Sequence, residues 1–145
     1  WGVSNFDADD LDEALGIVGE GAIACNQVLY HVQERAIEHA VIPWCEKHKV
    51  AVVAYSPFGS GGFPASSSAG GRVLGDIADA HGVTPRQVVL AFLTRTASVF
   101  AIPKAASAGH AADNAAAGDL VLSKEDIRRI DEAFPRGRPK SLPMI

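Results

Sequence analysis

The sequence contains little cysteine, and it has no long hydrophobic run. Cys25 and Cys45 are the only cysteines among 145 residues, far fewer than in secreted proteins that are held together by disulfides. We therefore expect two reduced thiols, with a bridge between them as the alternative. The apolar runs are too short to span a bilayer, and no basic segment precedes an apolar one as in a signal peptide. These absences predict a cytoplasmic protein.

The sequence also lacks a strong excess of either charge. It has 13 Lys and Arg against 17 Asp and Glu, a net charge of −4. Nucleic acids and anionic membrane surfaces attract basic proteins, so neither is expected as a partner. A small neutral or anionic ligand would have to be bound by local donors. The content of 48% hydrophobic and 21% charged residues is typical of a globular protein and predicts a single domain over residues 1–145.

Short apolar runs alternate with helical patterns along the chain, which predicts an α/β fold built from βα units. The third run is apolar at every position, as in parallel strands that are covered on both faces. The four runs cover residues 1–4, 22–26, 50–55 and 98–102.

The predicted helices have recognisable starts and ends. A helix within residues 35–48 must begin late or bend, because Pro43 lacks an N–H group. Thr84 and Pro85 are typical of an N-cap and first residue, here of a helix to about residue 96. Further helices are predicted after Asp7, over residues 73–81, from near Ser107, and after a capping box at Ser123.

Two segments have no predicted helix or strand. Residues 59–71 are rich in Gly and Ser and follow the third strand, so we expect a flexible loop that could close over a ligand. Residues 134–145 are expected to form a short C-terminal tail.

Hydrogen-bonding side chains occur where each predicted strand ends, the edge at which parallel α/β barrels bind ligands. The amides match a carboxamide ligand, a tyrosine ring can stack on an aromatic ring, and a lysine before a helix favours phosphate. Taken singly, each residue could instead be a turn former, a helix cap, a core side chain or a solvated charge. The residues are Ser4, Asn5, Asn26, Gln27, Tyr55, Ser56 and Lys104.

The same residues give the sequence a resemblance to the aldo-keto reductases, most of all to bacterial small-aldehyde reductases of the methylglyoxal type. The resemblance implies the C-terminal half of a TIM (β/α)8 barrel, with about four parallel βα units. It also implies an oxidoreductase that reduces aldehydes or ketones to alcohols with NADPH. The motifs, in the family's order, are residues 2–6, 26–28, 54–58 and 102–105.

The resemblance also implies where the cofactor binds. At three positions the sequence departs from the family: Ala105 replaces a common Ser or Thr, His110 replaces a common Arg beside the adenosine phosphate, and Asp113 replaces a common Glu. We therefore expect weaker selection of NADPH over NADH. The implied contacts are Ser4, Asn5 and Gln27 on the nicotinamide carboxamide, Tyr55 on its ring, Ser56, Phe58 and Ser60 along the pyrophosphate, Lys104 and His110 at the 2′-phosphate, and Asp113 and Asn114 near the adenine.

No catalytic residue is assigned to this chain, and no metal-ligand spacing is present. The family's acid–base residues, a Tyr assisted by Lys, Asp and His, lie on its first four strands, and residue 1 matches the fifth. We expect the chain alone to be inactive. Tyr30, with His31 beside it, is considered as a substitute proton donor. The alternative is a non-catalytic half-barrel that binds nucleotide or a partner protein and self-associates through open barrel edges. The leading hypothesis is that the chain is the C-terminal part of a longer reductase, seen as a truncated or proteolysed chain.

Overall fold

The computed structural model describes residues 1–143 and contains one sheet of four parallel strands. The strands lie side by side in chain order, and each is followed by helix. This arrangement confirms the predicted α/β fold and its four strands, whereas residues 144 and 145 of the predicted tail lie outside the described residues. The strands are β1 (Gly2–Ser4), β2 (Cys25–Leu29), β3 (Ala51–Tyr55) and β4 (Val99–Ala101).

The second strand begins and ends three residues later than the sequence predicts. The prediction ended it at Asn26 and Gln27, but β2 continues to Leu29 because its apolar run extends through Val28 and Leu29. Strands are staggered, so Gln27 pairs with Ser4 at the end of β1, and Leu29 pairs with Tyr55 at the end of β3. Gln27 therefore lies within β2, but it is level with Ser4, the last residue of β1.

Within residues 1–143, six helices follow the predicted order, and three of them begin with capping boxes, at Asp7, Thr84 and Ser123. In each box the cap side chain accepts from a backbone N–H of the first turn, and the third helical residue bonds back to the cap. The helices are α1 (Ala8–Val18), α2 (Val41–His48), α3 (Ala69–His81), α4 (Pro85–Leu93), α5 (Ala108–Ala116) and α6 (Lys124–Ala133).

Pro43 sets the start of α2, as predicted. It is the third residue of the helix, where its missing N–H group would have no partner within the helix. A separate 3₁₀ turn at Ala36–Glu38 precedes the helix. The predicted helical segment is therefore split, and its regular part begins late.

The predicted loop over residues 59–71 is too long by three residues. Ala69, Gly70 and Gly71 form the first turn of α3, because the Ser68 side chain caps that turn by accepting a hydrogen bond from Gly71 N at 3.0 Å. Gly71 is buried. The flexibility of residues 59–68 stays a prediction.

The helices pack on one face of the sheet. On that face Val52 and Ala54 of β3 are fully buried, whereas the alternate residues Val53 and Tyr55 are half-buried. Phe100, on β4, is 57% exposed. Within residues 1–143 the sheet is thus covered mainly on one face, and the second face of β3, which was predicted to be covered as well, is only half-buried.

Both cysteines are free thiols, as predicted. Cys45 lies in the core between α2 and the sheet, and its burial raises the pKa of the thiol to about 12. Within residues 1–143, no helix has the length and apolar content needed to cross a membrane.

Candidate functional site

Two residues at the carboxyl edge of the sheet adopt a left-handed backbone conformation. Asn5 directly follows β1 with a φ of 58°, and Ser56 directly follows β3 with a φ of 50°. This conformation is costly for residues other than glycine, and it is concentrated at functional sites in proteins. The edge formed by the ends of these strands is therefore a candidate functional site.

Four predicted residues meet at this edge and are called the strand-end cluster: Ser4, Asn5, Gln27 and Tyr55. Ser4 Oγ donates a hydrogen bond to the Gln27 carbonyl oxygen at 3.0 Å, and Asn5 N donates to the same oxygen at 2.8 Å. Tyr55 Oη donates to Asn5 Oδ1 at 3.2 Å. The cluster places two carboxamide side chains near a half-buried aromatic ring, which suits a flat ligand carrying an amide.

Asn26, the remaining polar residue predicted at this edge, has a different position. Its side chain is fully buried, and it bonds the backbone of Phe6 twice, donating from Nδ2 to the carbonyl oxygen at 2.8 Å and accepting from N at 3.4 Å. Asn26 thereby fixes the chain that leaves β1. It stabilises the segment next to the strand-end cluster from the buried side of the sheet and is not accessible to a ligand.

Ser56 and Ser60 form a tight turn after β3. Ser60 Oγ donates a hydrogen bond to Ser56 Oγ at 2.9 Å, and Ser60 also has a left-handed φ, of 46°. The backbone closes the turn through Gly59 N and the Ser56 carbonyl oxygen, 2.8 Å apart. Phe58 lies within this turn, which directly follows the strand-end cluster.

A cavity of about 440 Å³ lies between α4 and α5 and is called the α4–α5 cavity. The loop after β3, the first turn of α4, the segment after β4 and helix α5 all contribute to its walls. The cavity brings together the second group of predicted residues, Phe58, Lys104, His110, Asp113 and Asn114, and adds Phe63, Thr84, Pro85, Arg86 and Gln87.

Basic side chains outnumber acidic ones in this lining. The lining residues include Arg86, Lys104 and His110 and a single carboxylate, that of Asp113. The first turns of α4 and α5 also contribute the positive ends of two helix dipoles. The cavity can therefore accept an anionic group next to aromatic walls.

Sequence reasoning missed Arg86 and Phe63. The guanidinium carbon of Arg86 lies 4.9 Å from the ring centre of Phe63 and 5.6 Å from that of Phe58, within the range of cation–π attraction. A signal for Arg86 exists in the sequence, because a basic residue just after the Thr84–Pro85 helix start opposes the helix dipole. Phe63 gives no such signal, since it lies within a Gly- and Ser-rich loop.

Gln87 joins the two helices that form the cavity. Its Oε1 accepts a hydrogen bond from Thr84 N at 2.8 Å, and its Nε2 donates to the Asp113 carbonyl oxygen at 3.1 Å. One side chain thus caps α4 and holds α5 in place. This contact depends on tertiary structure and could not be read from the sequence.

Tyr30 is unsuited to the role of substitute proton donor. It is fully buried, its hydroxyl donates to Glu38 Oε1 at 2.6 Å, and it accepts from Arg95 Nη1 at 3.1 Å. Burial raises the pKa of Tyr30 well above its usual value. The neighbouring His31 is half-buried, and burial lowers its pKa. Tyr30 thus belongs to a structural network, whereas His31 Nδ1 is buried without a hydrogen-bond partner among residues 1–143.

That network surrounds a buried arginine. Arg35 donates from Nε to Glu38 Oε1 and from Nη2 to Asp131 Oδ1, each at 2.7 Å, and from Nη1 to the Phe134 carbonyl oxygen at 2.6 Å. These bonds tie the chain after β2 to the end of α6. Within residues 1–143, no three His, Cys, Asp or Glu side chains are grouped so that they could hold a metal ion.

Known proteins resemble this chain in sequence and in structure. Residues 1–134 match the family model of the aldo/keto reductase family. Methylglyoxal reductase YeaE from Escherichia coli strain K12 is 38% identical over 141 residues, which cover 97% of this chain and 50% of that protein. The 9,11-endoperoxide prostaglandin H2 reductase of Trypanosoma cruzi strain CL Brener is 34% identical over 136 residues, covering 90% of this chain and 44% of that protein.

A solved structure has the same fold. The crystal structure of an aldo-keto reductase from Klebsiella pneumoniae in complex with NADPH superposes with a TM-score of 0.87 at 40% identity, and it covers 100% of this chain and 51% of that chain. The chain thus spans about half the length of the relatives that it matches. The four βα units correspond to part of a TIM barrel.

Proposed function

The chain belongs to the aldo/keto reductase family, and on that premise we propose that it is the cofactor-binding part of an NADPH-dependent reductase of aldehydes and ketones. The juxtaposition of an amide-rich strand end with a basic, aromatic cavity is the observation that carries this proposal. The Klebsiella pneumoniae neighbour is in complex with NADPH, and the Escherichia coli relative is a methylglyoxal reductase. The first supports the proposed cofactor, and the second supports a small carbonyl substrate.

The strand-end cluster is proposed to hold the nicotinamide. Ser4, Asn5 and Gln27 would bond its carboxamide, and Tyr55 would stack on its ring. Ser4 and Gln27 are exposed, and they lie side by side in register. NADPH, when bound, supplies the hydride that reduces the carbonyl carbon. The residues of this chain orient the ring and keep one of its faces against Tyr55.

The turn after β3 and the α4–α5 cavity are proposed to hold the other end of the cofactor. A volume of about 440 Å³ is typical of a ligand pocket. Ser56, Ser60 and Phe58 would follow the pyrophosphate. Lys104 and His110 would meet the phosphate on the adenosine ribose, and Asp113 and Asn114 would contact the adenine.

No residue of this chain is proposed as the proton donor of the reaction. Tyr30, the tyrosine nearest to the end of β2, is held in the network of Arg35 and Glu38 and lacks access to a ligand. We therefore expect the chain alone to bind the cofactor without reducing aldehydes. Turnover by the pure chain would contradict this part of the proposal.

Isothermal titration calorimetry of the chain with NADPH tests the proposal. We expect binding of one nucleotide, weakened about tenfold or more by Lys104→Ala, because a hydrogen bond to a charged group contributes about 1.5–3 kcal/mol. Lys47→Ala removes an exposed lysine from the last turn of α2 and is the matched control. Absence of binding by the unsubstituted chain would overturn the proposed function.

A second candidate function is that of a non-catalytic, self-associating half-barrel. It is favoured by Phe100, on the edge strand β4, and by Ile102, directly after it, which are 57% and 47% exposed. Unpaired strand edges and apolar side chains of this kind favour association. Light scattering coupled to size-exclusion chromatography would show twice the mass of the chain if this candidate holds, and a monomer would exclude it.

A further inference from the structure

Arg86 occupies a position that helix electrostatics disfavours. It is the second residue of α4, where the helix dipole is positive and acidic side chains are preferred. Arg128 and Arg129, on α6, form salt bridges with carboxylates, whereas no such bridge to Arg86 is present among residues 1–143. The charge of Arg86 therefore has no protein counter-ion in the described part of the chain.

Two aromatic rings hold this arginine in the α4–α5 cavity. The rings of Phe58 and Phe63 lie edge to face with their centres 6.0 Å apart, and the guanidinium lies within 5.6 Å of both ring centres. Stacking on aromatic faces restrains a guanidinium and leaves the N–H groups in its plane available as donors. Arg86 is thus positioned to bind an anion.

The rest of the cavity indicates which anion. Lys104 and His110 share the lining with Arg86, and Asp113 is the only carboxylate among the lining residues. A guanidinium fork matches the geometry of a phosphate group. Aromatic walls and a volume of about 440 Å³ leave room for the base and ribose that carry such a phosphate.

We infer that Arg86 determines cofactor specificity by binding the phosphate on the adenosine ribose, so that NADPH is preferred over NADH. This inference rests on the proposed function, because it concerns the same cavity. Arg86 reaches the phosphate from α4, whereas His110 and Lys104 approach from α5 and from the segment before it. Selection of NADPH is then retained although His110 replaces the arginine that is common in the family.

Calorimetric titration of the full chain with NADPH and NADH tests the inference without any activity measurement. We expect the unsubstituted chain to bind NADPH more tightly than NADH. Arg86→Ala should weaken NADPH binding roughly ten- to a hundredfold, the range for a lost hydrogen bond to a charged group, and leave NADH binding unchanged. Arg86→Lys should retain part of the preference, because it keeps the charge and loses the fork.

Titration with 2′,5′-ADP and 5′-AMP separates the phosphate from the rest of the cofactor. Only the affinity for 2′,5′-ADP should fall in Arg86→Ala. Arg128→Ala, on the exposed face of α6, is the matched control for loss of one arginine. Equal urea midpoints of all variants would confirm that each is folded.

The outcomes distinguish the inference from the proposed function. If the unsubstituted chain binds both nucleotides and Arg86→Ala weakens them equally or not at all, the inference is wrong and the proposed function stands. Equal affinity of the unsubstituted chain for NADPH and NADH would likewise contradict the inference and leave the proposed function standing. If the unsubstituted chain binds neither nucleotide, both the proposed function and the inference are wrong.

Discussion

The hydroxyl of Tyr55 donates a hydrogen bond to Oδ1 of Asn5, 3.2 Å away, and joins the ends of two strands that are not neighbours in the sheet. β2 lies between β1 and β3, so the bond crosses one strand. It uses the acceptor of the Asn5 amide and leaves the amide donors for a ligand. The strand-end cluster is therefore held in place before any ligand binds.

Substitution of Tyr55 separates the roles of its ring and its hydroxyl. Tyr55→Ala removes the stacking surface. We expect the binding free energies of NADPH and NADH to weaken by the same amount, about 0.5–1.5 kcal/mol or more. Tyr55→Phe keeps the ring and should change both affinities less than Tyr55→Ala does. Calorimetric titration measures each value. Equal losses in the two variants would show that the bond to Asn5, and not the ring, supports binding.

Arg35 should be the most sensitive position in the network around Tyr30. The Arg35 side chain is 2% exposed, and that of Glu38 is 7% exposed. Removal of one partner of a buried ion pair costs up to about 3–5 kcal/mol, and less where another cation remains beside the charge left behind, as Arg95 does at 3.2 Å from Glu38. We expect Arg35→Met to lower the free energy of unfolding by up to that amount in urea titrations.

Arg128→Ala is the control for the Arg35 experiment. Arg128 pairs with Glu125 and Glu132 on the surface of α6, where water screens the charges. We expect no measurable change in its urea midpoint. An equally small effect of Arg35→Met would show that the buried network contributes little to stability.

The Glu38 carboxylate should make stability depend on pH in the acid range. Burial opposes its ionisation, but hydrogen bonds from Arg35 and Tyr30 outweigh burial and hold the pKa of Glu38 below its ordinary value of 4.5. A lowered folded-state pKa contributes stability above pH 4.5, and this contribution is lost as the pH falls through the folded-state pKa.

Glu38→Gln removes the titrating group and measures its contribution. The difference in unfolding free energy between the unsubstituted chain and this variant should be constant from pH 7 to about 5 and shrink at lower pH. Urea titrations at several pH values give this difference. A difference that does not vary with pH would mean that other carboxylates cause the acid sensitivity.

Much of the fold follows from local sequence signals. Caps at Thr84 and Ser123, and Pro43 near the start of α2, predict helix boundaries because each signal acts within one helical turn. The position of β2 could not be obtained in this way. Polar Asn26 suggests a strand end, and only its bonds to Phe6 explain why it is buried in mid-strand.

The candidate site was predictable to a similar extent. The resemblance placed Lys104 and Asp113 near one another, and the structure brings them to one cavity. Arg86 and Phe63 were missed, because they meet only when the loop after β3 packs against the start of α4. Residues of this kind are found from three-dimensional contacts, since their spacing in the sequence carries no pattern.

Two glycines of α3 should respond in opposite ways to alanine. Gly75 has open space where a Cβ would be added, so Gly75→Ala should stabilise the helix by about 0.5–1 kcal/mol. A Cβ at Gly71 would overlap the carbonyl oxygen of Ala65, which belongs to the backbone and cannot rotate away. We expect Gly71→Ala to destabilise the chain by at least about 1 kcal/mol.

The two variants also test how the Gly- and Ser-rich segment is anchored. Both substitutions add one methyl group to the same helix, so their urea midpoints can be compared directly. Opposite shifts would show that Ala65 packs against the first turn of α3 and that the segment is fixed at this end. If Gly71→Ala stabilises the chain as Gly75→Ala does, Ala65 moves aside at little cost. The loop would then not be anchored at its contact with the first turn of α3.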